Sequence, residues 1–105
     1  MSQLQETAQL SFNSSAGADA YYTFGLDLGN PSTGNGVQHI MLRASADCYV
    51  DFDKATVASG SNGSFKMLAA DTSLTVFDFT GGSVMTVHAK GVSGSGILYI
   101  IGIRS

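Results

Sequence analysis

Charge is scarce in this chain. Only 12% of its 105 residues are Asp, Glu, Lys or Arg, about half the share found in ordinary soluble domains. A surface with so few charges repels its neighbours weakly, and association with a second copy or a partner is the natural consequence. The cations Arg43, Lys54, Lys66, Lys90 and Arg104 are scattered, and the net charge is −3. No basic stripe exists for counterion-release binding, which excludes a nucleic-acid partner. Cysteine occurs once, at Cys48, so no intrachain disulfide forms and the small disulfide-scaffold class is excluded. Tryptophan is absent and Glu6 is the sole glutamate. The second absence excludes a paired-glutamate glycosidase. The longest apolar run, residues 97–103, is far too short to span a bilayer, so no membrane segment is expected. Residues 1–6 carry neither a basic nor an apolar segment and read as no secretory signal. The sequons at Asn13 and Asn62 therefore read as turns.

What is present is strand and turn. Short runs rich in β-branched and aromatic residues alternate with Gly, Ser and Asn clusters, and no stretch has a helical period. Strands are expected over residues 4–12, 20–28, 37–44, 46–54, 65–69, 74–79, 84–90 and 97–103. The last run follows Gly91-Val92-Ser93-Gly94-Ser95-Gly96 and reads as a strand buried on both faces at the centre of a sheet. In residues 46–54, Cys48, Val50 and Phe52 take one parity and Asp47, Tyr49, Asp51 and Asp53 the other. The first set is expected in the core and the acidic set in solvent. Over residues 74–79 the parity shifts near Asp78, which predicts a bulge. Residues 55–64 read as a loop, with room for one short strand. Seven or eight strands at roughly ten-residue spacing define an all-β, small antiparallel β-sandwich, with eight favouring a jelly roll. Residues 1–13 read as an N-terminal arm or edge strand and residues 14–105 as one sandwich domain. The arm is expected to dock on a neighbouring subunit, since a polar edge strand gains little within its own domain. Leu4, Leu10 and Phe12 of the arm, with Tyr21, are the expected interface residues.

Each candidate for chemistry has a plainer explanation. Asp47, Asp51 and Asp53 share one strand face, but no calcium-type loop follows and no glutamate closes a site, so a solvated face explains them. His39 and His88 lie on separate strands with too few partners for zinc. Cys48 reads as a small buried hydrophobe without an activating base. No Gly-x-Ser-x-Gly elbow exists, and no lysine follows the glycine-rich turn as a phosphate cradle requires. Tyr21, Tyr22, Tyr49 and Tyr99 offer material for a sugar-binding face, but strand aromatics are usually packing residues. The expectation is a protein with no catalytic site, no metal and no cofactor.

From Val37 onward the chain resembles small structural proteins of tailed-phage virions. The resemblance rests on Ala46-Asp47-Cys48-Tyr49-Val50-Asp51-Phe52, on Lys66-Met67-Leu68-Ala69-Ala70-Asp71, on Phe79-Thr80-Gly81-Gly82-Ser83-Val84, and on Gly94-Ser95-Gly96-Ile97-Leu98-Tyr99-Ile100. It covers roughly two-thirds of the chain and consists of core residues and turns. It implies a β-sandwich on the capsid surface that decorates or cements the shell, as a homo-oligomer, most simply a trimer, on the major capsid protein. A tail or fibre tip domain that binds a host glycan or receptor is the alternative.

Overall fold

The computed structural model describes residues 4–15, 20–25, 37–53, 65–79 and 84–104. It contains eight strands: β1 (Leu4–Phe12), β2 (Ala20–Thr23), β3 (His39–Ala44), β4 (Cys48–Phe52), β5 (Phe65–Met67), β6 (Thr75–Asp78), β7 (Thr86–Gly91) and β8 (Gly96–Arg104). Among the described residues there is no helix. The strands pair in a nested, antiparallel way: β1 with β8, β2 with β7, β3 with β6 and β4 with β5. The pairings β3–β8 and β4–β7 join these into two four-stranded sheets. The first has the order β1-β8-β3-β6 and the second β2-β7-β4-β5. The fold is therefore a two-sheet β-sandwich.

Period-two alternation builds the core between the sheets. Ile40, Leu42 and Ala44 point inward from β3, Cys48 and Val50 from β4, Val87 and Ala89 from β7, and Leu98 and Ile100 from β8. Each large aliphatic side chain sealed this way contributes about 1.5–3 kcal/mol of burial free energy. The two flanks of the sandwich are closed by different chemistry. On the β1–β2 flank the Glu6 carboxylate accepts hydrogen bonds from the Tyr22 hydroxyl and from the Gly25 N–H at 3.1 and 3.2 Å. On the β5–β6 flank, Phe52 packs edge-on against Phe77 and Phe79, with ring centroids 5.0 Å apart in each pair. Phe65 meets Phe77 at 5.1 Å.

One corner breaks the alternation. Val37 exchanges two backbone hydrogen bonds of 2.8 Å with Val84, just before β7. The next residue, Gln38, donates to the Ile103 carbonyl at 2.9 Å and accepts from the Phe79 N–H at 2.8 Å, both beside the first sheet. The chain thus changes partners between adjacent residues. Val37 and Ile40 are both buried although they are three apart, as are Val84 and Val87.

Several expectations change. β8 is central in its sheet, flanked by β1 and β3, but it is not sealed on both faces. Leu98, Ile100 and Gly102 are buried, whereas Ile97, Tyr99, Ile101 and Ile103 are half-buried on the outer face. β6 carries no bulge: Thr75 to Phe79 alternate without interruption, with Val76 and Asp78 outward. Asp51 is buried, at 6% exposure, because it lies between neighbouring strands on the second sheet rather than at an edge. β4 ends at Phe52, and Asp53 turns to a left-handed φ of 62°. Leu10 and Phe12 are not free for an interface, since both are buried in the chain's own core. β1 is paired in register with β8 along all nine of its residues, so it serves as an edge strand of its own domain. The expected strand residues Leu26 and Leu28, the turn-rich segments expected over residues 29–36 and 55–64, the strand end expected at Lys54 and the turn expected at Gly81-Gly82 lie outside the described residues. So does the side chain of Leu4.

Candidate interaction surface

The outer face of the first sheet is built from the residues that alternation turns away from the core. β8 contributes Ile97, Tyr99, Ile101 and Ile103, β3 contributes Met41 and Arg43, and β6 contributes Val76. Cross-strand register places Tyr99 beside Arg43 and Ile101 beside Met41, with Val76 on the far side of Met41. The result is an apolar sheet face. Val76 is 62% exposed and Leu74, just before β6, is also exposed. A solvated sheet face normally reads polar at these positions, and the β1 edge does so with Gln5, Thr7, Gln9 and Ser11.

Leu74 and Tyr99 divide this face into two hollows. One, of about 460 Å³, runs along Thr7, Gln9 and Ile101. The other, of about 570 Å³, is bounded by Arg43 and Thr72. The Arg43 guanidinium carbon lies 5.6 Å from the centre of the Tyr99 ring, a cation–π distance. This contact holds the guanidinium against the Tyr99 ring. Arginine and tyrosine beside exposed aliphatics is the composition of an interface centre. At the edge of the same face, His39 and Asp78 approach to 3.5 Å.

The second sheet presents a different outer face. Tyr21, His88 and Asp51 lie in cross-strand register, and the Tyr21 and His88 rings are 5.6 Å apart. Tyr21 is 62% exposed, while Asp51 and Lys90 are almost covered. Of the expected interface residues whose side chains are described, Leu10, Phe12 and Tyr21, only Tyr21 is accessible.

The acidic residues that flank β4 have structural work. The Asp47 carboxylate accepts from the Ala69 N–H at 2.8 Å. The Asp53 carboxylate accepts from the N–H groups of Met85 and Thr86, each at 2.8 Å. These bonds tie the ends of β4 to neighbouring segments. Among the described residues, no group of three or more His, Cys, Asp or Glu is placed to hold a metal ion. Cys48 is fully buried, and burial, with a smaller push from Asp47, raises its thiol from 9.0 to about 12. A thiol held in that state is protonated and unreactive at neutral pH.

Sequence reasoning passed over Arg43, Leu74, Val76 and Tyr99 as a set. The signal was present, since residues 97–103 are apolar on both parities and Val76 is apolar where a solvent-facing residue belongs. Double-parity apolar runs were read as burial on both sides. They equally describe a strand with one face in the core and one awaiting a partner. No family model matches this chain, and no curated protein or solved structure matches it.

Proposed function

We propose that this chain is a non-enzymatic structural protein of a tailed-phage virion, of the capsid decoration type. It works as a homo-oligomer, with a trimer expected, seated on the capsid surface at junctions of the major capsid protein. The observation that carries this reading is the apolar, partly exposed outer face of the first sheet, where Arg43 lies over Tyr99 and Leu74 and Val76 are exposed. Low charge makes such a face adhesive, and a protein that adds strength to a shell does so by burying surface between neighbours. The nested strand order supports reading the sandwich as a jelly roll. The resemblance of residues 37–100 to tailed-phage virion proteins supports a place on the virion.

The test is sedimentation with capsids that lack the protein. The chain should co-pellet at saturable stoichiometry, and Val76→Asp should weaken pelleting at least tenfold while leaving the denaturant midpoint unchanged. Equal pelleting by Val76→Asp and the parent removes the outer face from the mechanism. A parent that never pellets removes the capsid reading. A glycan-binding role at a tail or fibre tip is supported by a single observation, the exposed Tyr21 ring beside His88. A glycan array read with Tyr21→Ala separates the two.

A further inference from the structure

We propose that β1 is an association edge: its unpaired side takes the β1 strand of a second copy, antiparallel, about a two-fold axis at Ala8. This inference concerns self-pairing and does not depend on a virion location.

Backbone direction identifies the unpaired side. The Ser45 N–H donates to the Ile97 carbonyl and the Gln38 N–H to the Ile103 carbonyl, both at 2.9 Å. Residues 97 and 103 therefore turn their backbone groups toward β3. Direction alternates along a strand, so Leu98, Ile100 and Gly102 turn theirs toward β1. Their register partners Leu10, Ala8 and Glu6 face back. The N–H and C=O groups of Gln5, Thr7, Gln9 and Ser11 consequently point away from β8. Among the described residues, none of these groups has a hydrogen-bond partner.

This edge lacks the devices that keep edges apart. The other three edge strands, β2, β5 and β6, are only four, three and four residues long. β5 carries Lys66 at its centre and β6 carries Asp78. β1 runs for nine residues with no proline, lysine or arginine. Its one charge, Glu6, is turned inward onto Tyr22 and Gly25. A long regular edge without blockers is a template for another strand.

A second copy fits it. With Ala8 on the axis, Thr7 falls opposite Gln9 of the second copy, and Gln5 opposite Ser11. Every outward-facing residue then meets another outward-facing residue, so each such pair exchanges two backbone bonds. Side chains keep to matching faces, no like charges oppose, and Thr–Gln and Gln–Ser pairs suit a solvated sheet surface. The product is one continuous eight-stranded sheet. Its two apolar patches then lie on one sheet surface, separated by the polar outward residues of the two β1 strands.

The experiment is sedimentation equilibrium on the full chain at micromolar concentration, followed by two variants. The parent should have an even multiple of 10.9 kDa: a dimer, or a hexamer if trimers also form. Gln5→Pro/Ser11→Pro removes two N–H groups that face the open edge and spares the β1–β8 ladder. Its mass should be half that of the parent, with an unchanged far-UV spectrum. Ala8→Cys places two thiols across a non-hydrogen-bonded pair, where Cα atoms are about 4.5 Å apart and a disulfide is sterically allowed. Mild oxidation should give a covalent dimer through the introduced thiols, while the buried Cys48 stays uncrosslinked. A monomeric or odd-numbered parent overturns the proposal. So does a proline variant of unchanged mass, or an Ala8→Cys chain that does not crosslink. Should the proline variant fail to fold, the crosslink alone decides. The Val76→Asp variant leaves the mass even, so loss of the capsid reading and loss of edge pairing are distinguishable.

Discussion

Gly102→Ala tests how tightly the two sheets are locked together. Gly102 is buried near the end of the apolar β8 run and faces the core. A β-carbon added there lies 2.5 Å from Phe24 Cε1, 2.9 Å from Val37 Cγ1 and 3.0 Å from Phe24 Cδ1. Real contacts of that kind are essentially never below 3.0 Å, so the ring or the valine must move. Neither has room. Phe24 and Val37 are both fully buried. The Phe24 ring is braced edge-on by Tyr22, with centroids 5.5 Å apart, and the Tyr22 hydroxyl is held by Glu6. Val37 is pinned by its paired backbone bonds to Val84. Overpacking of this kind costs about 1–3 kcal/mol. Replacing glycine by alanine in a strand returns about 0.5–1 kcal/mol. The net expectation is a loss of about 0.5–2 kcal/mol, read as a lower urea midpoint at unchanged slope. Phe24→Leu frees space at the same spot, so the double variant should recover part of the loss, with a coupling above about 0.5 kcal/mol. A Gly102→Ala protein as stable as its parent, or strict additivity with Phe24→Leu, refutes the packing argument.

Glu6→Ala should lower stability by about 1–3 kcal/mol, because the Gly25 N–H and the Tyr22 hydroxyl lose their acceptor; Glu6→Gln should lose less, and urea melts of the two decide. Asp53→Ala removes two backbone caps and sets a β-carbon residue without a polar side chain at positive φ, so a loss of about 1–3 kcal/mol is expected. Asp53→Asn should fall between, by the same melts. Cys48 predicts an alkaline signature. Its folded thiol titrates near 12 rather than 9.0, so above pH 9 the unfolded chain gives up a proton that the folded chain keeps. Its contribution is fully present below pH 9 and is lost as pH rises from 9 toward 12. Cys48→Ala should flatten that part of the stability profile, and native protein at pH 8 should not react with a thiol reagent until it is unfolded.

Much of the fold was legible in local pattern. Cys48 and Val50 alternate with polar neighbours, glycine-rich turns punctuate the strands, and no helical period competes. Those signals depend on residues two apart, and they suffice for strand identity and for the inward placing of Cys48 and Val50 in β4. Asp78 misled because Val76 is apolar but outward, so an unbroken alternation looks like a parity shift and predicts a bulge that the strand does not have. Leu10 and Phe12 misled because a polar strand with a few anchors looks the same whether it completes its own sheet or a neighbour's. Their burial depends on β8, whose register partners lie some ninety residues further along the chain.

By itself, then, the amino-acid sequence determined that this is an all-β chain with few charges, a buried lone cysteine and alternating strands, because all of these follow from composition and from period-two pattern. Only the tertiary structure decided which strands neighbour one another. It also decided that Glu6 spans the sheets to Tyr22 and Gly25, that Asp51 is covered, that Tyr99 and Arg43 stack on an open apolar face, and that β1 stands at an edge. The physical reason is that each of these depends on pairings between residues far apart in the chain, and local alternation is equally consistent with many such pairings.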